Sequence, residues 1–565
     1  MKKTSSFLLG LILFLSCDVP VVRAADSISA IRLNQIGYYP SGIKRFVLSD
    51  STDVASFQLV DLNKDQVVFT DTLSEPVFWD LSNELVRTGD FTTFRAPGKY
   101  VIRIEGQQDS YPFRIGDDLY QEALRSSARA YYYHRVGLAI SQAYGGDYAW
   151  EGGHPDVAIP FHPSVGRTGT LDAPGGWYDA GDYGKYVVNG AYSLGELLVL
   201  YESYPNTLGD GALNIPESGN GIPDYLDELK YEMDWLLRMQ DSDGGVFFKL
   251  TTERFEGMVM PNETSKQRYV FRKSTTATLD FAAVAAKFAR AIQPYDETYA
   301  NQCLTASRKA WKWGAENPDI RFLNPEGVIT GQYGDQDFSQ EFYWAAAELW
   351  IATEEQAYLD YIRENPVGFK FDPGDSWASQ MHYLGAYALM DQQKDVALAH
   401  EIKELLTAEA DRLLKIASEN AYFQPVQTFH WGSNSDLLNT AMTISQVYRH
   451  TGDAKYLAAV QEITDYIFGK NALDVCFLTG FGTRYPVNIH HRLSEADAIE
   501  GPIPGFLSGG PNYFKQDAKD VSYPEVTYPM TSWVDQLPSY ASNEICINWN
   551  APLTYVLGFL EEESN

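Results

Sequence analysis

The spacing of hydrophobic and polar residues changes once along the chain, near residue 116. Before that point apolar and polar residues alternate with a period of two, as in 31–36, 44–48, 57–60 and 99–104. Segments of this length, separated by Gly, Pro and Asp turns, predict short β-strands with one buried face. We therefore predict a β-sandwich of roughly 90 residues in this part of the chain.

After Gly116 the pattern takes a helical period. Leu119–Leu138 has the spacing of a helix, and Tyr225–Gln240 places its apolar side chains on one face. About twelve such segments recur up to residue 562, which is too many for a simple bundle. Six helical hairpins closed into a ring, an (α/α)6 barrel, fit this number. The long loops 143–182 and 470–546 would gather at one mouth and carry the function.

The first residues have the pattern of an export signal. Two lysines precede a short apolar run, Phe7–Leu15, and a bilayer span would need roughly 20 such residues. We expect Cys17 to be lipidated, giving a cell-surface or periplasmic lipoprotein anchored to the outer membrane. The alternative is ordinary cleavage after Ala24 or Ala25 and full secretion. The predicted organisation is a signal at 1–25, a β-sandwich at 26–116 and a helical domain at 117–565.

Composition narrows the choice of partners. The net charge of −31 argues against nucleic acid, because binding a phosphate backbone needs a basic face. It also disfavours anionic lipid and acidic glycans, but is compatible with a neutral glycan. Aromatic residues make up 14% of the chain, which suits a cleft that stacks the flat faces of sugar rings. Cys303, Cys476 and Cys546 are too widely spaced for a disulfide framework, so we expect buried free thiols.

The most informative segment is Gly175–Tyr186. Asp179 and Asp182 stand three residues apart around a glycine, just before a predicted helix. If that helix begins near Tyr183, both carboxylates can point into a cleft and hold one water for deprotonation. The competing interpretation is that Asp182 caps the helix while Asp179 is solvated.

Three further segments carry candidate residues. Glu544 precedes the last helical run among apolar neighbours, where it is either exposed or a carboxylic acid kept protonated for donation to a leaving oxygen. His490-His491-Arg492 offers donors for sugar hydroxyls or a carboxylate. A zinc site is disfavoured there, because no His or Glu stands at i+4 and no Cys is near. Trp431, beside polar groups, is either a stacking platform or an ordinary core residue.

Taken together and in this order, the motifs resemble glycoside hydrolase family 9. The segment GWYDAGD at 176–182 is similar to the family's base motif. The resemblance covers nearly the whole chain past residue 28. The remaining matching segments are Ile31–Tyr38 (the start of an immunoglobulin-like module), Glu217–Gln240, Gly244–Val246, His490–Arg492 with Ser494, Gly509–Asn512 and Asn543-Glu544.

The resemblance implies an immunoglobulin-like sandwich before an (α/α)6-barrel catalytic domain that hydrolyses β-1,4-glucan with inversion. Asp182 would be the general base, Asp179 would hold the same water, and Glu544 would be the general acid. An inverting pair needs its carboxyls roughly 6.5–9.5 Å apart, so that water fits between base and sugar. The implied substrate-binding residues are His490 and Arg492 beside the scissile bond, Trp431 and Trp549 along the cleft, and Tyr178.

The chain departs from the family pattern at several points. Ile489 stands where a proline usually precedes His-His-Arg, which puts the shape of that loop in doubt. Some relatives bind zinc before the Asp motif through Cys and His, but that stretch has no Cys here, so no zinc is expected. A structural calcium is a candidate at Asp335, Asp337 and Glu341, with Gln340 where an Asp is usual. No other cofactor is expected.

We therefore predict a monomeric, inverting endo-β-1,4-glucanase acting on cellulose-like, mixed-linkage or xyloglucan polysaccharides. Soluble or branched glucans fit better than crystalline cellulose, because the sequence shows no cellulose-binding module. The first alternative is an exo-acting member of the same family, a cellodextrinase or exo-glucosaminidase that trims oligosaccharides. The second is a surface glycan-binding protein without activity, which would not need the three carboxyl groups.

Overall fold

The computed structural model describes residues 28–49, 54–374 and 376–564. The predicted signal, including Cys17, lies outside the described residues. Across the described ranges, none of the helices is both long and apolar enough to cross a membrane. Cys303, Cys476 and Cys546 are buried free thiols, as predicted.

The N-terminal part of the described chain is built from nine strands in two sheets. They are β1 (Ile31–Arg32), β2 (Gly37–Tyr38), β3 (Arg45–Ser49), β4 (Ser56–Asp61), β5 (Gln66–Thr72), β6 (Val77–Trp79), β7 (Glu84–Asp90), β8 (Gly98–Arg103) and β9 (Phe113–Ile115). The first sheet has the order β1-β3-β7-β6 and the second β2-β9-β8-β4-β5. β2 pairs with β9 in parallel, and the other pairs are antiparallel.

The two sheets bury an aromatic core between them. Phe46 and Leu48 alternate along β3 and belong to one buried cluster with Phe57 of β4, as the period of two requires. The rings of Phe46 and Phe57 meet edge to face with centroids 4.9 Å apart. Gly89 lies opposite Phe46, and a Cβ there would come within 2.1 Å of that ring. The predicted N-terminal β-domain is confirmed.

The rest of the described chain is mainly helical, with fifteen helices between residues 121 and 563. They are α1 (Gln121–Tyr133), α2 (Gln142–Gly145), α3 (Val187–Ser203), α4 (Asp224–Arg238), α5 (Thr275–Ile292), α6 (Glu297–Glu316), α7 (Ser339–Thr353), α8 (Gln356–Glu364), α9 (Ser376–Ser379), α10 (Met381–Gln392), α11 (Val396–Ser418), α12 (Ser433–Thr451), α13 (Ala454–Ile467), α14 (Arg492–Ala496) and α15 (Ile547–Glu563). Short strands cross the loops: β10 (Ile159–Pro160), β11 (Thr170–Leu171), β12 (Lys185–Tyr186), β13 (Lys249–Thr252) and β14 (Arg268–Val270).

The long helices form an inner and an outer set. Helices α3, α5, α12 and α15 are buried along most of their length, which is typical of helices in the centre of a domain. In the inner set α15 packs on α3, α3 on α5, α5 on α7, α7 on α10, and α12 on α15. Outer helices cover them: α1 on α15, α4 on α3, α6 on α5, α8 on α7, α11 on α10 and α13 on α12. The predicted large helical domain is confirmed.

The β-domain is bonded directly to the helical domain. Asn34 donates to the carboxylate of Asp465 in α13 at 2.8 Å. Arg32 donates to the hydroxyl of Tyr422 at 2.6 Å and pairs with Glu84 of its own domain. Because Arg32, Asn34 and Tyr422 are buried, breaking such contacts leaves polar groups unpaired away from water. The N-terminal domain therefore supports the helical domain that carries the cleft.

Candidate active site

One cleft of about 600 Å³ collects most of the predicted site residues. Its walls come from loops, helix ends and one short strand that are far apart in sequence. The side chains that line it include Asp179, Asp182, Tyr186, Tyr333, Trp377, Trp431, Asp436, His490, Arg492, Tyr540, Glu544 and Trp549.

The loop that carries the two aspartates closes on itself. The backbone N–H of Asp179 donates to the carbonyl of Gly184 at 3.0 Å. The N–H of Gly184 in turn donates to the carboxylate of Asp182 at 2.8 Å. Gly181, between the aspartates, lies so close to the next loop that a Cβ would fall 2.0 Å from the carbonyl of His490. Glycine is therefore required here by close packing rather than by its φ angle.

The predicted helix start at Tyr183 is wrong. Lys185 and Tyr186 form the short strand β12, and α3 begins only at Val187. β12 pairs with β13, so a strand pairing from a distant segment overrides the local helical pattern. The helix-cap interpretation of Asp182 falls with it, because Asp182 lies five residues before the helix.

Asp179 is buried and its two oxygens are both engaged. Asn189 of α3 donates to Oδ1 at 2.6 Å, and the hydroxyl of Tyr333 donates to Oδ2. Burial, followed by the nearby charge of Asp182, raises the pKa of Asp179 to about 8. The two donors oppose this rise because they stabilise the carboxylate. Asp179 therefore keeps a proton to higher pH than an exposed aspartate does.

Asp182 is held by donors that lie within its own loop and in the strand β12. Besides the N–H of Gly184, the hydroxyl of Tyr186 lies 3.3 Å from Oδ2. The same hydroxyl accepts the N–H of Gly331 at 3.1 Å, in the loop that also carries Tyr333. One loop therefore contacts both aspartates, Asp182 through Tyr186 and Asp179 through Tyr333.

Glu544 lies just before α15, and its Oε1 is close to the aspartate loop, since a Cβ on Gly181 would fall 3.1 Å from it. Its carbonyl accepts the N–H of Gly509 at 2.9 Å, and Glu544 forms a β-bridge with His490. The residue as a whole is partly exposed, but its carboxyl group is deep enough for burial to dominate. Burial and the charge of Asp182 raise the pKa of Glu544 well above its usual range, against the opposing effect of Arg492. A carboxylic acid that stays protonated at neutral pH can donate a proton.

In the His490-His491-Arg492 loop, His490 and Arg492 line the cleft and His491 is buried away from it. His490 lines the cleft, and its Nδ1 donates to the carbonyl of Leu537 at 2.8 Å, which leaves Nε2 as an acceptor in the neutral ring. Burial lowers the pKa of His490, so the ring is neutral at pH 7. Arg492 donates to the carbonyl of Gly181 at 2.6 Å and so ties this loop to the aspartate loop. His491 is buried outside the cleft and stacks on His134.

Aromatic side chains form the cleft walls. Trp431 is 38% exposed and its ring lies 5.4 Å from that of Tyr540, whereas Trp549 is 9% exposed. Both tryptophans line the cleft. Trp377 and Tyr333, which pack edge to face at 5.2 Å, were not predicted. Their signal in the sequence is weak, since Tyr333 is a single aromatic residue in an irregular loop and Trp377 lies in the short helix α9.

Tyr178 does not line the cleft, contrary to the prediction. It is 2% exposed, and its hydroxyl bonds to Nδ1 of His154 at 2.8 Å. Neighbouring residues of an extended segment point in opposite directions. Because Asp179 faces the cleft, Tyr178 faces the interior beneath it.

The predicted calcium ligands divide into two groups. Asp337 is exposed and caps the turn before α7 by accepting the N–H of Ser339. Asp335 and Glu341 instead face Asp280 of α5, and buried oxygens on all three have no hydrogen-bond donor. Burial, followed by charge repulsion within the group, raises the pKa of Asp280 and Glu341. Such orphaned oxygens suit a proton or a hard cation, although no described group of three such side chains converges as a metal centre.

Two known protein families match this chain and together cover most of it. Residues 120–557 match Glycosyl hydrolase family 9, and residues 26–109 match the Cellulase N-terminal ig-like domain. The chain belongs to glycosyl hydrolase family 9. The N-terminal β-domain of this family 9 chain is accordingly immunoglobulin-like.

Similar proteins cover nearly the whole chain. The xyloglucan-specific endo-beta-1,4-glucanase BoGH9A of Bacteroides ovatus is 37% identical over 94% of each chain. Endoglucanase D of Acetivibrio thermocellus is 32% identical over 95% of this chain and 84% of its own. The solved structure titled Bacteroides ovatus GH9 superposes with a TM-score of 0.88 at 35% identity, covering 96% of this chain and all of that one. These matches confirm the predicted enzyme class, a glycoside hydrolase of the endo-β-1,4-glucanase type.

Proposed function

We propose that this chain hydrolyses the β-1,4-glucan backbone of xyloglucan or a similar soluble glucan, with inversion at the anomeric carbon. The observation that carries the proposal is the cleft itself, which is lined by two aspartates, a glutamic acid with a raised pKa and several aromatic side chains. A binding protein would gain nothing from burying these carboxyl groups at a cost in stability. The name of the Bacteroides ovatus relative supports xyloglucan as the glucan to test first.

In the proposed reaction, Asp182 takes a proton from water as the water oxygen bonds to the anomeric carbon. Asp179 accepts a hydrogen bond from the same water and orients it. Glu544 gives its proton to the glycosidic oxygen as the bond between that oxygen and the anomeric carbon breaks. The two carboxyls then hold exchanged protonation states, and solvent resets them. His490 accepts from a sugar hydroxyl beside the scissile bond, and Arg492 fixes the two loops that carry the reacting groups.

The finer architecture is proposed on the packing of the helices. The inner set α3, α5, α7, α10, α12 and α15 and its six outer partners support an (α/α)6 barrel. The β-domain would end near residue 116, between β9 and α1.

We also propose a monomer exported to the cell surface or periplasm and anchored through Cys17. The export, the anchor and the monomeric state rest on the sequence alone.

A structural calcium is also proposed, on two of the three predicted ligands. Asp335 and Glu341 would hold the ion together with water molecules, and Asp337 would not take part. The ion would neutralise carboxylates that otherwise repel one another between α5 and α7 and would stabilise the loop before α7. It would take no part in the reaction.

The test is a panel of soluble xyloglucan, mixed-linkage glucan and carboxymethyl cellulose, with the size of the products followed over time. Endo action predicts an early fall in viscosity and a broad range of fragments. Release of glucose or cellobiose alone, with unchanged viscosity, would support the exo-acting alternative. A cellodextrinase of Butyrivibrio fibrisolvens that is 32% identical to this chain is the reason to test it. Asp182→Asn and Glu544→Gln serve as inactive controls. No hydrolysis of any polymer by the wild type would refute the proposal.

A further inference from the structure

A second group of aromatic side chains lies next to Trp431 but outside the lining of the cleft. Tyr513 and Phe514 are 52% and 57% exposed. The ring of Phe514 stacks on His430, with centroids 4.9 Å and planes 17° apart. His430 directly precedes Trp431. One face of Phe514 is therefore covered by a parallel ring, and the exposed area belongs to its edge and its other face. We refer to His430, Tyr513 and Phe514 as the outer platform.

Two ring contacts in the cleft wall and one hydrogen bond place the outer platform beside the cleft. His490 lies 6.1 Å from Tyr540, and Tyr540 lies 5.4 Å from Trp431. The hydroxyl of Tyr540 donates to the carbonyl of Gln516 at 3.0 Å, two residues beyond Phe514. The wall of the cleft at Tyr540 is thus bonded to the turn that carries the outer platform.

The turn that presents the outer platform is anchored from inside. Asn512 is fully buried, and its side chain donates to the carbonyl of Ala541 at 2.8 Å and accepts the N–H of Phe514 at 3.1 Å. The N–H of Tyr513 donates to the carbonyl of Phe429 at 3.0 Å. Exposed aromatic rings on a fixed turn lose little conformational entropy when a ligand covers them. Clustered exposed apolar rings beside a cleft are typical of a ligand-binding surface.

We propose that the outer platform is a binding subsite for sugar residues of the glucan chain that extend past Trp431 and out of the cleft. The proposal rests on the proposed function, because it takes the occupant of the cleft to be a β-1,4-glucan. A glucose ring presents a flat C–H face to an aromatic ring and keeps its hydroxyls at the exposed edge. The platform would therefore favour chains longer than the cleft holds.

The test compares two substrates within each variant. The first is soluble xyloglucan, which can reach the outer platform, and the second is an aryl cellobioside, which fits within the cleft. In Phe514→Ala the ratio of kcat/KM for xyloglucan to that for the aryl cellobioside should fall about tenfold, the effect of losing about 1.4 kcal/mol of ring contact. Phe514→Trp, which keeps a ring, should hold the ratio near the wild-type value. Using a ratio cancels any loss of folded protein.

Val526→Ala is the matched control, since Val526 is 65% exposed and does not belong to the outer platform. Its ratio should equal that of the wild type. An unchanged ratio in Phe514→Ala, with normal wild-type activity, would overturn the platform and leave the proposed function standing. If the wild type cleaves neither substrate, the proposed function is refuted, and the proposed subsite is refuted with it. Equal falls in the Phe514→Ala and Val526→Ala ratios would also overturn the platform.

Discussion

The hydroxyl of Tyr333 offers a direct way to shift the protonation of the aspartate pair. It donates to Oδ2 of Asp179, while Asn189 donates to the other oxygen. Donation to a carboxylate stabilises the charged form, so Tyr333 lowers the pKa of Asp179, which burial has raised to about 8. Tyr333→Phe removes the donor and keeps the ring that packs on Trp377. The pKa of Asp179 should therefore rise further.

The size of the shift follows from the type of bond. A hydrogen bond to a charged group contributes about 1.5–3 kcal/mol, and one pKa unit corresponds to about 1.4 kcal/mol. Tyr333→Phe should raise the pKa of Asp179 by about one to two units. On the acid limb of the pH profile, where activity follows the ionised fraction, kcat/KM should fall about tenfold to a hundredfold.

The assay is the pH dependence of kcat/KM on soluble xyloglucan, which reports ionisations of the free enzyme. The acid limb of Tyr333→Phe should move to higher pH. Tyr540→Phe is the matched control, because Tyr540 also lines the cleft but its hydroxyl bonds to a backbone carbonyl. Its acid limb should stay in place. An acid limb of Tyr333→Phe that is unmoved, or moved to lower pH, would refute the role given to this bond.

Three further predictions concern stability and proton donation. Burial raises the pKa of Asp465 to about 8 in the folded protein, above its unfolded value of about 3.9, so the folded protein keeps a proton that the unfolded chain releases as pH rises from about 4 to about 8. The unfolding temperature should fall between about pH 5 and 8 and this contribution should level off above pH 8, with a smaller fall in Asp465→Asn; equal slopes between pH 5 and 8 would contradict this. If Glu341 holds calcium, EDTA should lower the unfolding temperature of the wild type but not of Glu341→Gln. An unchanged unfolding temperature of the wild type in EDTA would contradict the proposed calcium site. An aryl glycoside with a good leaving group should restore much of the activity of Glu544→Gln but not of Asp182→Asn, because its leaving oxygen needs no protonation. Equal rescue of both variants would contradict the assignment of Glu544 as the acid and Asp182 as the base.

The carboxyl groups that line the cleft were predicted from the family resemblance, which rests on short local motifs. Asp179 and Asp182 lie three residues apart, and Glu544 stands before an apolar helix, so each has a signal within a few residues of sequence. The two periods of the hydrophobic pattern likewise predicted a strand-rich domain before a helical one. These features depend on neighbours along the chain, which a sequence displays directly.

The partners of those carboxyls were not predictable in the same way. Tyr333 reaches Asp179 across 154 positions of sequence, and Asp280 meets Glu341 from another helix. The strand at Lys185 forms only because β13 is available to pair with it. In each case a tertiary contact decides the outcome, and the local pattern is neutral or points elsewhere.

The anomeric form of the first product tests the central proposal most directly. Soluble β-1,4-glucan is mixed with the wild-type enzyme, and proton NMR follows the new reducing ends before mutarotation equilibrates them. Water activated by Asp182 attacks the face opposite the departing β-linked oxygen, so the α-anomer should appear first and the β-anomer only later. Initial release of the β-anomer would contradict inversion, and with it the assignment of Asp182 as base and Glu544 as acid.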